Sequence, residues 1–163
     1  MSNTREPCAL GPGEGEAIWY RGTLMTVKAG AAQTGGRLTL IEHAFPPGFA
    51  APLHVHHREE EPWYVLEGRV QFACAELEYE AAPGAYIFLP RDVPHRFRIL
   101  GEAGARMLLL SIPGGLEGMF AELGQTAPAA VLPPPPGPPD HERMRAVAAR
   151  YGVEFPDDMA ALR

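Results

Sequence analysis

Four possible metal ligands stand at fixed distances from glycines and prolines in the middle of this chain of 163 residues. The two patterns are Gly48-x5-His54-x-His56-x4-Glu61-x6-Gly68 and Gly84-x5-Pro90-x4-His95. Alternate side chains of a β-strand project from one face about 6 to 7 Å apart, so His54 and His56 can reach one ion from a single strand. The array therefore favours a fold in which short extended segments meet at one point.

The residues beside these ligands point elsewhere or lie in a turn. His57 should project from the opposite face of its strand, so we exclude it from the metal site. The charged residues 58–61 are typical of a turn, and residues 62–66 that follow are typical of a strand. Glu61 begins this strand and can face the histidine pair, whereas Glu59 and Glu60 are expected to be solvated at the tip of the turn.

The fourth ligand follows a stiff turn. Pro90 and Pro94 fix the backbone φ angle and remove two amide donors just before His95. In the strand that follows, His95, Phe97 and Ile99 alternate with two arginines, which predicts that the histidine faces an apolar interior. The metal would then lie in a largely apolar pocket.

Three imidazoles and one carboxylate without a thiolate suit one divalent transition metal ion. Fe, Mn, Ni, Co, Cu and Zn all accept this mixture of nitrogen and oxygen ligands. Four protein ligands leave one or two positions open on an ion that prefers five or six. Water, dioxygen or a chelating substrate can take those positions, as a catalytic metal requires.

These motifs resemble the two motifs of the cupin superfamily. The first motif is complete, whereas in the second Asp92 stands where glycine is usual and Ile99 where asparagine is usual. The run from Pro46 to Gly68, residues 89–95 and the tail at residues 150–155 are similar to single-domain quercetin 2,3-dioxygenase-like cupins. The resemblance implies an all-β, double-stranded β-helix (jelly-roll) barrel with a short C-terminal helical extension and a metal held by three histidines and a glutamate.

For activity, the resemblance implies a dioxygenase acting on a small aromatic or enolic, flavonol-like substrate bound to the metal. Glu61 would be a metal ligand and also the catalytic base that takes the substrate proton. Two alternatives fit the same ligands: a non-catalytic metal-dependent binding or sensor module, and a metal-dependent isomerase or lyase.

Composition limits the partners. A formal net charge of −6 argues against nucleic acid or an anionic membrane surface, and a small-molecule substrate fits better. Only Cys8 and Cys74 occur, so a disulfide framework is not expected. The N-terminus has no leader pattern and the chain has no apolar run long enough to span a membrane, so we expect a cytoplasmic protein.

The spacing of turn residues predicts the domain organisation. Residues 1–16 are expected to be a flexible N-terminal segment, 17–125 a barrel of short strands, and 126–163 a Pro-rich linker with a C-terminal helix packed on the barrel. That helix should start near Asp140 and end near Tyr151, where Gly152 supplies a left-handed cap. A shorter helix is expected within residues 115–123.

Several apolar residues could line the cavity or belong to the barrel core. They are Met25, Trp63, Phe72, Phe97 and Met107. Tyr64 and Tyr86 fall on the outward alternation, and His43 is ambiguous because its strand, Leu38 to Phe45, is apolar on both faces. That two-faced strand predicts a homodimer in which a second subunit covers the outer face.

Overall fold

The computed structural model describes residues 6–156, in which strands dominate. The strands are β1 (Glu16–Tyr20), β2 (Thr23–Ala29), β3 (Thr39–Phe45), β4 (Ala50–His56), β5 (Glu61–Glu67), β6 (Arg69–Cys74), β7 (Leu77–Ala81), β8 (Tyr86–Leu89), β9 (His95–Leu100), β10 (Ala105–Ser111), β11 (Gln125–Thr126) and β12 (Val153–Glu154). The helices are α1 (Ala31–Thr34), α2 (Glu117–Leu123) and α3 (His141–Arg150).

The strands form two antiparallel sheets. The larger has the order β11-β1-β2-β3-β10-β5-β8, and the smaller has the order β12-β4-β9-β6-β7. Inward residues of both sheets, such as Ile41, Phe72 and Met107, are fully buried between them. Outward residues are polar or partly exposed, as expected for sheets with one solvated face. The predicted all-β jelly-roll fold is confirmed.

Tight turns connect the strands where the sequence places glycine. Gly68, between β5 and β6, has a φ of +84°, and a Cβ there would overlap the carbonyl oxygen of Gly104. A side chain at this position would therefore strain the backbone and push two neighbouring loops apart. The glycine fixes the direction in which β6 leaves the end of β5.

The C-terminal helix packs against the barrel, and its bounds match the sequence prediction. Asp140 caps α3 by accepting a hydrogen bond from the backbone N of Arg143 at 3.0 Å, and Gly152 follows the helix with a φ of +76°. Val147 and Ala148 are buried in the same core as the barrel residues. The division of the chain at residues 16 and 125 stays a proposal, since β12 from the C-terminal segment joins the smaller sheet.

Three small elements were not predicted. The single turn α1 lies between β2 and β3, β11 lies at the predicted end of the barrel, and β12 follows the C-terminal helix. Such short pairings depend on the neighbouring strand and leave no periodic pattern. Within residues 6–156, no helix is long and apolar enough to cross a membrane.

Candidate metal centre

The four predicted ligands lie at the ends of three strands. His54 and His56 close β4, Glu61 opens β5 and His95 opens β9. β4 and β9 are neighbours in the smaller sheet, where His54 and His95 face each other in register. Glu61 comes from the larger sheet, so the cluster bridges the two sheets where they meet.

The turn before His95 forms as expected, although aspartate replaces the usual glycine. Asp92 adopts a φ of +64°, a left-handed conformation that aspartate tolerates better than most residues. Its backbone N donates to the carbonyl oxygen of His56 at 2.8 Å, which ties the turn to the end of β4. The backbone thus holds His56 and His95 in a fixed relation.

One possible ligand atom from each of the four residues lies within 4.8 Å of the others. The carboxylate Oε2 of Glu61 is 3.1 Å from Nε2 of His95 and 3.5 Å from Nε2 of His56. His56, Glu61 and His95 are buried and His54 is half-buried. A buried carboxylate surrounded by three imidazoles is the arrangement that the sequence predicted.

The hydrogen bonds of the histidines leave lone pairs directed at the centre. Nδ1 of His54 donates to the carbonyl oxygen of Pro52 at 2.7 Å, and Nδ1 of His95 donates to that of Val93 at 3.0 Å. A neutral imidazole that donates through Nδ1 carries a lone pair on Nε2. His95 then presents this lone pair to the Glu61 carboxylate, a contact between two acceptors that a cation would convert into attraction. The donor set therefore fits a divalent metal ion.

The acid–base properties of His54 and Glu61 agree with this assignment. Burial, together with the nearby rings of His95 and His56, lowers the pKa of His54 to about 3. Burial alone would raise the pKa of Glu61, but the surrounding histidines, led by His56, lower this pKa to about 2. At neutral pH, His54 is a neutral ligand and Glu61 a carboxylate, the forms that bind metals.

The residues next to the predicted ligands differ in their position relative to the cluster. His57 points away from the cluster as predicted, and its ring lies 2.7 Å from Oδ1 of Asp92 and 2.9 Å from Oε2 of Glu154. Glu60 is half-buried, and its backbone pairs with that of Ile112.

Glu59 was expected to be solvated at the tip of the turn, but it is only 5% exposed. Its Oε2 lies 3.5 Å from Nδ1 of His56. This burial has a physical cause, because the bridge between Glu60 and Ile112 anchors the turn to β10 and its neighbours, and alternation then places the side chain of Glu59 inward. The signal was present in the sequence: Glu59 is two residues before Glu61 and shares its face if the strand alternation is extended backwards. The two carboxylates together outweigh the effect of burial and raise the pKa of His56.

A pocket of about 530 Å³, its open mouth included, leads to the cluster. His54, His56 and Glu61 form part of its lining, and the rest is mainly apolar or aromatic. Of the predicted wall residues, Met25, Trp63 and Phe97 line it, whereas Phe72 and Met107 belong to the core. Tyr64 and Tyr86 are exposed on the outer face, as their alternation predicted.

Further lining residues were not predicted. His43, left ambiguous by the sequence, faces the pocket and is 4% exposed. Arg21 lies in the turn between β1 and β2 and is the one cationic residue of the lining among residues 6–156. Phe155 follows β12, and its ring centroid is 6.0 Å from that of His54. These contacts depend on long-range pairing, which no local pattern reveals.

Two antiparallel sheets that enclose a buried cluster of three histidines and a glutamate define a metal-binding β-barrel. Comparison with known proteins agrees, because the family model described as "Cupin domain" matches residues 41–112. Residues 41–112 thus form a cupin domain.

Individual relatives point the same way. The chain is 27% identical over 159 residues to quercetin 2,3-dioxygenase from Bacillus subtilis, an alignment that covers 97% of this chain and 47% of that enzyme. The chain thus spans about half the length of this relative. Among solved structures, an RmlC-like cupin from Shewanella frigidimarina has a TM-score of 0.56 at 18% identity, covering 71% of this chain and 99% of that one. Oxalate decarboxylase from Bacillus subtilis has a TM-score of 0.55 at 18% identity, covering 69% and 30% respectively. These two structural likenesses bear on the fold alone.

Proposed function

We propose that this cupin is a metal-dependent dioxygenase that acts on a small aromatic or enolic, flavonol-like compound. His54, His56, Glu61 and His95 hold one divalent transition metal ion. The observation that carries the proposal is the convergence of three imidazole nitrogens and one carboxylate within 4.8 Å at the end of a largely apolar pocket. The similarity to quercetin 2,3-dioxygenase over 97% of the chain supports the reaction class. When bound, the ion supplies a Lewis acid at which an enol or phenol oxygen binds as its anion.

Glu61 has two roles in this proposal. As a ligand it provides the negative charge that offsets part of the charge of the ion. The low pKa of about 2 keeps the carboxylate ionised at neutral pH. As a base it would take the proton of the substrate hydroxyl, whose own pKa a bound ion would lower. Its position between His56 and His95 leaves the carboxylate within hydrogen-bond reach of a hydroxyl that approaches the centre.

The pocket walls select and orient the substrate. Three aromatic rings contribute to the walls: the ring centroid of Phe97 lies 6.2 Å from that of Phe49 and 5.3 Å from that of Trp63. Flat aromatic walls favour a planar ligand. Arg21 adds a positive charge to the lining, which favours a substrate that ionises on binding.

The test is metal analysis of protein purified without added metal, paired with oxygen uptake across a series of flavonols and diketones. Wild-type protein should contain about one divalent transition metal per chain and consume oxygen with at least one substrate. The Glu61→Gln variant should lose most of its activity and part of its metal, whereas Glu60→Gln is the matched control with both preserved. A Glu61→Gln protein that keeps full activity and full metal content contradicts the proposal.

The same assay separates the alternatives. Turnover of a substrate without oxygen uptake would identify an isomerase or lyase, and tight retention of a ligand without turnover would identify a binding or sensor module. Either result replaces the dioxygenase proposal while leaving the metal site in place.

We further propose that the protein is a homodimer. On the outer face of the larger sheet, Tyr64 is 42% exposed, Tyr86 61% and Phe88 43%. The outward residues of β3 on the same face are only half-buried. Apolar patches of this kind mark association surfaces. Light scattering at micromolar concentration should give twice the chain mass, and a monomer contradicts the proposal. The cytoplasmic localisation expected from the sequence also stays a prediction.

A further inference from the structure

Four buried side-chain atoms have no hydrogen-bond partner within residues 6–156, and two of them belong to the pocket wall outside the metal cluster and its neighbour Glu59. These two are Nδ1 of His43 and Nε1 of Trp63. Buried polar groups in folded proteins almost always have a partner, since an unpaired one costs about 1 to 3 kcal/mol. Both residues line the pocket that leads to the metal centre. Orphaned atoms at such a position indicate that a bound ligand supplies the missing partners.

The hydrogen bonds of Thr23 decide which ring nitrogen of His43 carries the proton. The hydroxyl Oγ1 of Thr23 donates its single proton to the carbonyl oxygen of Tyr20 at 2.6 Å. The same Oγ1 lies 2.7 Å from Nε2 of His43, so it accepts there and Nε2 must donate. Since burial also keeps the His43 ring neutral, Nδ1 carries a lone pair and no proton. His43 therefore presents a hydrogen-bond acceptor.

Trp63 supplies the complementary donor on the same wall. Its indole N–H can only donate. The rings of His43 and Trp63 lie nearly parallel, with centroids 6.2 Å apart and an angle of 27° between planes. They come from β3 and β5, which flank β10 in the larger sheet, so both side chains project from its inner face. An acceptor and a donor thus stand side by side in a largely apolar wall.

We propose that His43 Nδ1 and Trp63 Nε1 form a specificity subsite for a hydroxyl group of the substrate. A hydroxyl is the smallest group that satisfies both atoms, because it donates to His43 and accepts from Trp63. The subsite rests on the proposed function only in that its ligand is the substrate of the neighbouring metal centre. It deepens that function by requiring a substrate with a hydroxyl on the wall formed by β3 and β5, in addition to any oxygen that the ion binds.

The first test compares phenol with anisole, which differ only in the hydroxyl proton and a methyl group. Binding to the metal-loaded protein is measured by calorimetry under nitrogen, so that no turnover occurs. Wild-type protein should prefer phenol, and both His43→Phe and Trp63→Phe should reduce that preference about tenfold, the usual effect of one lost hydrogen bond of about 1.4 kcal/mol. Trp19→Phe is the matched control, since its indole donates to Val131 outside the pocket.

Metal content is measured in each variant. If a variant keeps its metal but no longer prefers phenol over anisole, the lost preference is due to the substituted wall residue and not to the ion. Equal binding of phenol and anisole by wild-type protein overturns the proposal. An unchanged preference in both variants overturns it as well.

A second test needs no variant and therefore does not depend on how a substitution folds. Nitrogen-15 NMR of the zinc-loaded protein should show His43 with a proton on Nε2 and none on Nδ1. Addition of phenol should shift Nδ1 of His43 and the indole N–H of Trp63, and anisole should shift them less. A proton on Nδ1, or shifts that the two probes cause equally, refutes the subsite.

The outcomes also distinguish the subsite from the dioxygenase. Phenol preference that His43→Phe and Trp63→Phe both reduce, without oxygen uptake on any flavonol or diketone, removes the dioxygenase and leaves the subsite standing. Oxygen uptake with no phenol preference in wild-type protein removes the subsite and leaves the dioxygenase standing.

Discussion

The buried ring of His43 should make the stability of this protein fall at mildly acidic pH. Burial lowers the pKa of His43 to about 3, whereas in the unfolded chain the residue titrates near its ordinary value of 6.5. Between these pH values the ring of His43 binds a proton in the unfolded state but not in the native state, so the free energy of unfolding decreases as the pH falls from about 6.5 toward 3. From pH 7.5 to 5.0 the linkage amounts to about 2 kcal/mol, at 1.36 kcal/mol per pKa unit.

Urea unfolding of wild-type protein and His43→Phe at both pH values isolates this effect. Other groups, including the metal ligands, titrate in both proteins and cancel in the difference. The wild-type midpoint should fall by about 1 M urea more than that of His43→Phe, taking a slope of about 2 kcal/mol/M. Equal falls in the two proteins would refute a neutral, buried His43.

His57 gives a comparison of opposite sign. The hydrogen bond to Asp92, followed by that to Glu154, raises the pKa of this exposed ring. The ion pairs therefore stabilise the native state at pH values below about 6.5, and this contribution disappears as the pH rises through the native pKa. A His57→Gln variant should lose stability at pH 5 and little at pH 8.5. A loss that grows with pH would show that the ring is not held as an ion pair.

Two further predictions concern the metal and the C-terminal helix. Because the Glu59 carboxylate lies 3.5 Å from Nδ1 of His56, Glu59→Gln should weaken metal binding about 10- to 100-fold, measured by competition with a chromophoric chelator. The control Glu60→Gln should bind metal as tightly as the wild type. Equal metal affinities of the two variants would mean that Glu59 does not position His56. Met144 in α3 is 4% exposed, so Met144→Ala should lower the free energy of unfolding, measured in urea, by about 2 to 4 kcal/mol. Val131→Ala, at an exposed position, should lower it by less than about 0.5 kcal/mol, and an equally small loss for Met144→Ala would mean that burial of α3 contributes little to stability.

The metal cluster could be predicted from the sequence because each of its parts has a local pattern. The spacing of His54 and His56 needs only the alternation of a strand, and the prolines before His95 mark its turn. Glu59 escaped prediction because its burial depends on the bridge between Glu60 and Ile112, two residues far apart in the chain. His43 stayed ambiguous because Leu40 and Ala44 on the other face of its strand are also apolar, so alternation alone gave no direction.

Several residues of the pocket wall lie outside the segment that carries the family signature. The cupin match covers residues 41–112, and so contains every member of the metal cluster. Thr23, which sets the proton on His43, Arg21 and Phe155 all lie beyond it, on β2, the turn before it and the C-terminal tail. The cluster thus lies within the matched segment, whereas the hydroxyl that sets the proton on His43 and part of the pocket wall come from flanking elements. Substitution of Thr23 by valine tests this division directly, because it frees the tautomer of His43 while leaving the metal cluster intact. In Thr23→Val the preference for phenol over anisole should weaken while metal affinity stays unchanged. A parallel loss of metal affinity would show that the pocket wall and the metal cluster do not act independently.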